Sequence, residues 1–330
     1  MTRDYDAVAM NWKTYYATEV RSPDASRKMT EWLERARREP ISSGFPRTGV
    51  LSFPHTTLDA AGPLQAAVVE AIYRSGCRRV LALGVLHTSR LSAAFVASDA
   101  TKPAPERVRA FHELAGGFLP AADDVATPFG TLSVVPTAPA PDVPVRTDNG
   151  GVLRDEFSLD TFLAMLRFGA IVFGARPPQV IPIYVGLTRH PVSGSFAVAH
   201  ALGTWLRERW DEAAIVATGD VVHYGAFYGS AIQLAPLPEL EVRLVERLKE
   251  SFRCAFEQGD DAAAYEIGSR TLRSDQREML PAVARLLDSG AHGDILAYEW
   301  TDYAGILHVA PPCRVASALI AYAQGVRRKT

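Results

Sequence analysis

Cysteine is scarce in this 330-residue chain: Cys77, Cys254 and Cys313 lie far apart, and no two form a C-x-x-C pair. That spacing excludes a disulfide framework and a thiolate zinc cluster, and it suggests buried thiols in a reducing compartment. An excess of charge of either sign is also missing. Lys and Arg number 35 against 37 Asp and Glu, for a formal net charge of -2. No basic field is present for a phosphate backbone, so nucleic acid is not expected as a partner. Arg78-Arg79 and Arg327-Arg328-Lys329 are too short to change that and read as solvated charges. No apolar run is long enough to span a bilayer. The opening Met1-Thr2-Arg3-Asp4-Tyr5-Asp6 is polar and acidic, with no apolar signal core behind it. The expectation is a soluble, cytoplasmic protein with no membrane partner. Internal repeats, low-complexity tracts and an obvious linker are absent too, so one domain is expected over 1-330, with 1-45 as an N-terminal extension.

What is present is the material of a globular α/β protein: 48% hydrophobic and 22% charged residues. Short apolar runs at Gly49–Phe53, Arg79–Leu83, Val180–Val185 and Ala214–Thr218 read as buried strands. Thr131–Val135 reads as a fifth. Helical spacing marks Asp24–Arg38, Ala60–Arg74, Asp155–Phe168, Ser193–Trp210, Glu239–Phe256, Asp260–Ser269 and Arg277–Leu287. Asp294–Trp300 and Gly305–Val309 read as a closing hairpin, and Cys313–Gln324 as a last helix. Buried strands alternating with helices predict a mostly parallel central sheet flanked by helices on both faces. The proline-rich stretch Thr101–Pro144 is an excursion from this pattern, a lid or an interface.

Ligands of open α/β sheets collect beyond the carboxyl ends of the strands. Three of the expected strands deliver ionisable groups there: His55 after the first, His87 after the second, and Asp220 with His223 after a later one. Two neutral imidazoles on neighbouring loops can chelate one ion, iron, zinc or copper by ligand type. Gly84, three residues before His87, gives the chain freedom to turn that ring back. A histidine after a strand is, taken singly, more often a hydrogen-bonded loop residue, so the pattern alone defines a polar site at the sheet edge. His112, His190, His200 and His292 have no evident partner. His308, in the expected hairpin, is within reach of the sheet edge, but a structural role suits it better.

Ser52-Phe53-Pro54-His55, Leu83-Gly84-Val85-Leu86-His87 and Thr218-Gly219-Asp220-Val221-Val222-His223-Tyr224-Gly225 resemble, in order and spacing, the Memo-like family, related in fold to the class III extradiol dioxygenases. Asp155-Glu156-Phe157-Ser158-Leu159-Asp160 resembles that family's D-E-H-S-x-E segment, and Val180–Leu187 its I-P-x-x-V-G strand. The likeness runs from about Gly49 to Gln324. It implies that His55 and His87 are metal ligands and that Asp220 and His223 line the same pocket. It also implies a two-histidine, one-carboxylate face for non-haem Fe(II), with zinc and copper as alternatives.

Memo-like proteins often place a cysteine third, in a C-G-x-x-P turn before a helix. Here that stretch reads Leu272-Arg273-Ser274-Asp275-Gln276-Arg277-Glu278-Met279, without cysteine. Asp275, or else Glu278, is the candidate oxygen ligand, although Ser274 or Asp275 equally suits a helix N-cap. Phe157 replaces the family's usual histidine, and Phe162 stands where a polar side chain is expected. Both make that side more apolar, as substrate contacts or as core.

The resulting expectation is a non-haem iron oxidoreductase acting on a small-molecule substrate, aromatic or amino-acid-like, with dioxygen. His223 would be its acid or base, Asp220 an orienting group, and Tyr224 a hydrogen-bond donor to substrate or oxygen. A zinc-type hydrolase and a non-catalytic peptide-binding protein are the alternatives. The oligomeric state is not legible, a homo-oligomer being allowed.

Overall fold

The computed structural model describes residues 12–41, 45–47, 49–87, 103–137, 143–149, 151–211, 213–230, 237–287 and 290–324. Two helices lead, Trp12–Val20 and Ala25–Arg38. In the second, Ala25, Met29, Leu33 and Ala36 recur at helical spacing and are buried, while the charged residues between them stay outside. This stripe packs on the helix Leu58–Ser75, where Gly62 lets the Trp32 ring approach so closely that a Cβ would overlap it.

The strands follow the chain as β1 (Gly49–Phe53), β2 (Arg79–Val85), β3 (Gly117–Pro120), β4 (Asp124–Thr127), β5 (Gly130–Ser133) and β6 (Val145–Asp148). Then come β7 (Gln179–Val185), β8 (Ala214–Thr218), β9 (Val222–Gly225), β10 (His292–Asp302) and β11 (Cys313–Ala323). Nine of them form one sheet in the order β10-β11-β1-β8-β2-β7-β3-β6, with β9 also paired to β11; β4 and β5 form a separate hairpin. Its centre, β1-β8-β2-β7, is parallel, as the alternation of strands and helices predicts. These central strands are nearly continuous buried apolar runs, because helices cover both faces. On one face the core gathers the helices Ala197–Arg207, Leu237–Phe252 and Leu280–Leu287. On the other it gathers Leu58–Ser75 and Asp160–Phe173.

The flanks depart from the expectation. β11 runs antiparallel to β1, β9 and β10, and β3 antiparallel to β7, so the sheet is mixed. Cys313–Gln324, expected as a helix, is the strand β11, and its hairpin partner is β10. Gly305–Val309, expected as a strand, begins inside the short helix Ala304–Leu307 that links the two. The helix expected from Asp155 begins at Asp160, since Glu156 to Ser158 form a turn closed by the Glu156 carboxylate. The proline-rich stretch holds the helix Ala104–Leu114 as well as β3, β4 and β5; residues 101–102 and 138–142 of it lie outside the described residues.

β9 has a consequence for the site. It lies along the same side of β11 as β1, further toward the start of β11. The chain leaving β8 therefore crosses over the carboxyl end of β1 on its way to β9, which carries Asp220 and His223 above His55. Gly219 makes the crossing, in a space where a Cβ would lie 2.7 Å from the Gln276 side chain.

Candidate metal centre

β1 ends in Pro54-His55, and that turn is tied down on several sides. Thr56 Oγ1 lies 2.8 Å from Ser317 Oγ of β11, the Thr57 N–H donates to Tyr303 Oη, and the Gln65 amide donates to the Pro54 carbonyl. His55 is 4% exposed. Its Nδ1 lies 3.2 Å from Thr218 Oγ1, whose own proton goes to the Phe53 carbonyl at 2.9 Å. With that hydroxyl proton committed, Nδ1–H of His55 is the donor and Nε2 keeps its lone pair.

The same logic recurs twice. His87 Nδ1 lies 3.1 Å from the Val85 carbonyl, and His223 Nδ1 lies 2.8 Å from the Arg273 carbonyl. A carbonyl only accepts, so both rings carry their proton on Nδ1 and present Nε2 bare. Each of the three imidazoles is thus pinned by one nitrogen with the other available, as in histidines that bind metals.

Asp275 is where they meet. Its Oδ2 lies 3.4 Å from His55 Nε2 and 3.7 Å from His223 Nε2. One donor atom from each of His55, His87 and Asp275 lies within 4.8 Å of the other two, and Asp220, His223 and Asp275 form a second such group sharing Asp275. Ligands about 2.1 Å from one ion are roughly 3.0 to 3.5 Å apart when adjacent. The His55–Asp275 pair has that spacing, and the donor set of imidazole and carboxylate suits a divalent first-row metal.

Of the two cap candidates, Ser274 and Asp275, the structure uses Ser274. Ser274 caps the turn, accepting from the Gln276 N–H at 3.1 Å, which leaves the Asp275 carboxylate free to face the histidines. The approach is built by a π-helical turn, Ile267–Leu272, and by Arg273 in the left-handed region at φ 51°. That conformation aims the Arg273 carbonyl at His223, while its guanidinium donates to the Gly229 carbonyl at 2.6 Å. Glu278, the other candidate, is committed elsewhere: it accepts from the Thr188 N–H at 2.8 Å and from Tyr265 Oη at 2.7 Å.

Asp220 is 4% exposed; Oδ1 accepts from the His55 N–H at 3.3 Å, and Oδ2 lies 3.8 Å from His55 Nε2. Burial, with Asp275 nearby, pushes the Asp220 carboxyl up despite the attraction of His55. Asp275 goes the other way. Burial opposes its charge, but His223, His55 and His87 together hold it well below the usual carboxylate range. Burial lowers His55, yet Asp220 and Asp275 outweigh it and raise the imidazole to about 9. The centre favours a positive charge at His55 Nε2, which either a proton or a metal ion supplies.

Glu156 is a neighbour of the centre that strand-end spacing does not single out. It is 2% exposed, accepts from the N–H groups of His87, Phe157 and Ser158, and has Oε1 3.6 Å from His87 Nδ1. Burial works against its charge, but His87 and these N–H groups hold it below the ordinary range. Phe157 stacks on the His87 ring at 4.6 Å, whereas Phe162 stacks on Phe53 in the core and is fully buried. Tyr16 reaches Phe157 at 5.3 Å, and Trp12 lies 5.6 Å from Tyr16 and 5.8 Å from Tyr303. The leading helix thus lays its aromatic rings against the Phe157 side of the centre.

Tyr224 is not in the centre. Side chains alternate along a strand, so His223 and Tyr224 leave β9 on opposite faces, and Tyr224 is packed in the apolar core. The tyrosine beside His223 is Tyr228, at 4.9 Å. His308 is exposed, outside the cluster. Gly84 also differs from expectation: it lies inside β2, where a Cβ would lie 2.7 Å from the Tyr184 ring, so it serves close packing and not a turn.

No protein-family model matches this chain, and no curated protein matches it in sequence. Among the described residues no helix is long and apolar enough to cross a membrane.

Proposed function

We propose that this protein is a non-haem Fe(II) oxidoreductase that uses dioxygen on a small substrate bearing an aromatic ring, on a scaffold akin to the Memo-like and class III extradiol dioxygenase folds. One observation carries the reading: three imidazoles, each with Nδ1 committed, gather about the Asp275 carboxylate with Asp220 beside it. His55, His87 and Asp275 would hold the ion. Ferrous iron held by these residues would supply one-electron chemistry between a substrate and dioxygen.

The remaining groups do the work that belongs to the protein. His223 would take a proton from a substrate hydroxyl or ammonium at Nε2 and return it later, because its Nδ1 stays bonded to the Arg273 carbonyl throughout. Glu156 steadies the His87 backbone, and Asp220 does the same for His55. Phe157, Tyr16 and Tyr228 form an aromatic lining that excludes water and suits the face of an aromatic substrate. The open side lies at His87, whose side chain is 29% exposed against 4% for His55.

The test is metal loading without oxygen. The protein should take up one Fe(II) per chain and then consume oxygen when catechols or aromatic amines are added. Replacing His55 and His87 together by alanine should abolish both. Iron retained at full stoichiometry in that double variant sinks the reading. The same donors also suit zinc, so turnover of an ester or amide under strict anaerobiosis would point instead to a hydrolase.

A further inference from the structure

Away from the candidate metal centre, the described residues line a partly open cavity of about 320 Å³, formed by Arg107, Phe111, Arg189, His190, Ser193 and Tyr265 among others. It lies past the carboxyl end of β7, where the chain runs on through Leu187 to Arg189, and against the helix Ala104–Leu114. Its charge is unusual. The Nε–H groups of both Arg107 and Arg189 are buried from solvent with no acceptor. Buried donors nearly always find one, so two guanidiniums failing together at one cavity need a cause.

Neither guanidinium has an acidic partner among the described residues. Arg107 donates from Nη1 to the Pro191 carbonyl at 3.3 Å, and Arg189 lies over the Tyr265 ring at 5.2 Å. The nearby carboxylate of Glu278 is matched by Arg277 at 3.7 Å and by the Thr188 and Tyr265 donors. His190 adds a further donor. Its Nδ1 accepts from the N–H groups of Val192 and Ser193 at 3.3 and 3.1 Å, which puts the ring proton on Nε2. The tight turn through Gly194, at φ 71°, brings the Ser193–Gly194 backbone against the Arg189 guanidinium. A donor-rich wall thus faces Phe111, Leu187 and Tyr265.

We propose that this cavity binds an oxyanion group, phosphate or carboxylate, carried by a small ligand. The planar fork of each arginine is made for two-point contact with such a group, and an anion would supply the negative charge that neither meets among the described residues. Its volume is at the lower end, about 300 Å³, of sites that hold small molecules. None of its lining residues belongs to the histidine centre, so the assignment stands apart from the metal reading.

Calorimetric titration of the full chain with inorganic phosphate, and separately with acetate, should reveal one saturable site. Preference for phosphate identifies a tetrahedral headgroup, and preference for acetate a carboxylate. Arg107→Gln and Arg189→Gln should each weaken binding by about tenfold or more. Without anion these variants should keep a cooperative melt, so that lost binding is not read as unfolding. Phenylglyoxal labelling of the wild-type protein locates the site without any variant: phosphate should protect Arg107 and Arg189 selectively. No saturable binding of either anion, undiminished binding in both variants, or labelling of the two arginines unchanged by phosphate overturns the proposal.

Discussion

A histidine ring can bind a metal through either nitrogen, and the protein decides which by what it bonds to the other. Here three residues make that decision by three routes: a threonine hydroxyl for His55, a carbonyl two residues back for His87, and a carbonyl fifty residues away for His223. Thr218 is the most exacting, because its hydroxyl both donates to the Phe53 carbonyl and accepts from His55. Thr218→Val keeps the shape and removes both bonds. Loss of such a supporting partner typically costs 10- to 100-fold in metal affinity, and we expect that range for Fe(II), with Thr218→Ser restoring most of it. Competition with a chelator of known affinity measures this, and equal affinity in the valine variant would remove Thr218 from the argument.

Residues with such roles differ in how far the sequence betrays them. His55, His87 and Asp220 follow the ends of short apolar runs, and His223 comes three residues after Asp220, so those runs and a list of ionisable groups suffice to find them. Asp275 is found only through the missing cysteine of a resembling family. Glu156 and Thr218 act on backbone or ring nitrogens of residues remote in sequence, and Tyr228 replaces Tyr224 because of a strand parity set by β9 pairing with β11. None of these is written in spacing.

At the scale of elements, the parallel centre is legible because fully buried strands are short apolar runs bounded by turns. The antiparallel flank is not. Cys313-Arg314-Val315-Ala316-Ser317-Ala318-Leu319-Ile320-Ala321-Tyr322-Ala323 is rich in alanine, a helix former, and is buried on both faces, so it shows no alternation that would mark a strand. Only its partners on each side make it extended.

Ala197–Arg207 lies against Leu280–Leu287 so closely that a Cβ on Gly203 would sit 2.4 Å from the Ala282 carbonyl and 2.7 Å from Arg285 Cβ. Alanine in place of a mid-helix glycine normally gains about 1 kcal/mol in propensity. Against rigid backbone, overpacking costs about 1 to 3 kcal/mol, so Gly203→Ala should be destabilising on balance. Denaturant unfolding reads the sign directly, and a stabilised variant would mean that the two helices slide apart at little cost.

The whole molecule is knit by the leading helix, which lays Tyr16 on Phe157 and Lys13 near Asp160 at the start of Asp160–Phe173. Asp160 gives this union a pH dependence. Burial raises its carboxyl to about 7, with Lys13 pulling it down and Glu156 pushing it further up. The folded state therefore holds the Asp160 proton more tightly than the unfolded chain, whose ordinary value is 3.8. Its contribution to stability is complete below that unfolded value and is lost as pH rises through about 7. The helix N-terminus favours an ionised carboxylate there, but it does not offset the desolvation. Asp160→Asn keeps a neutral polar group at every pH. The wild-type melting temperature should therefore fall relative to the variant's between about pH 4 and pH 7, the two curves separating across that window. Parallel curves would mean that Asp160 stays hydrated, and that the leading helix rests on the body more loosely than its aromatic contacts imply.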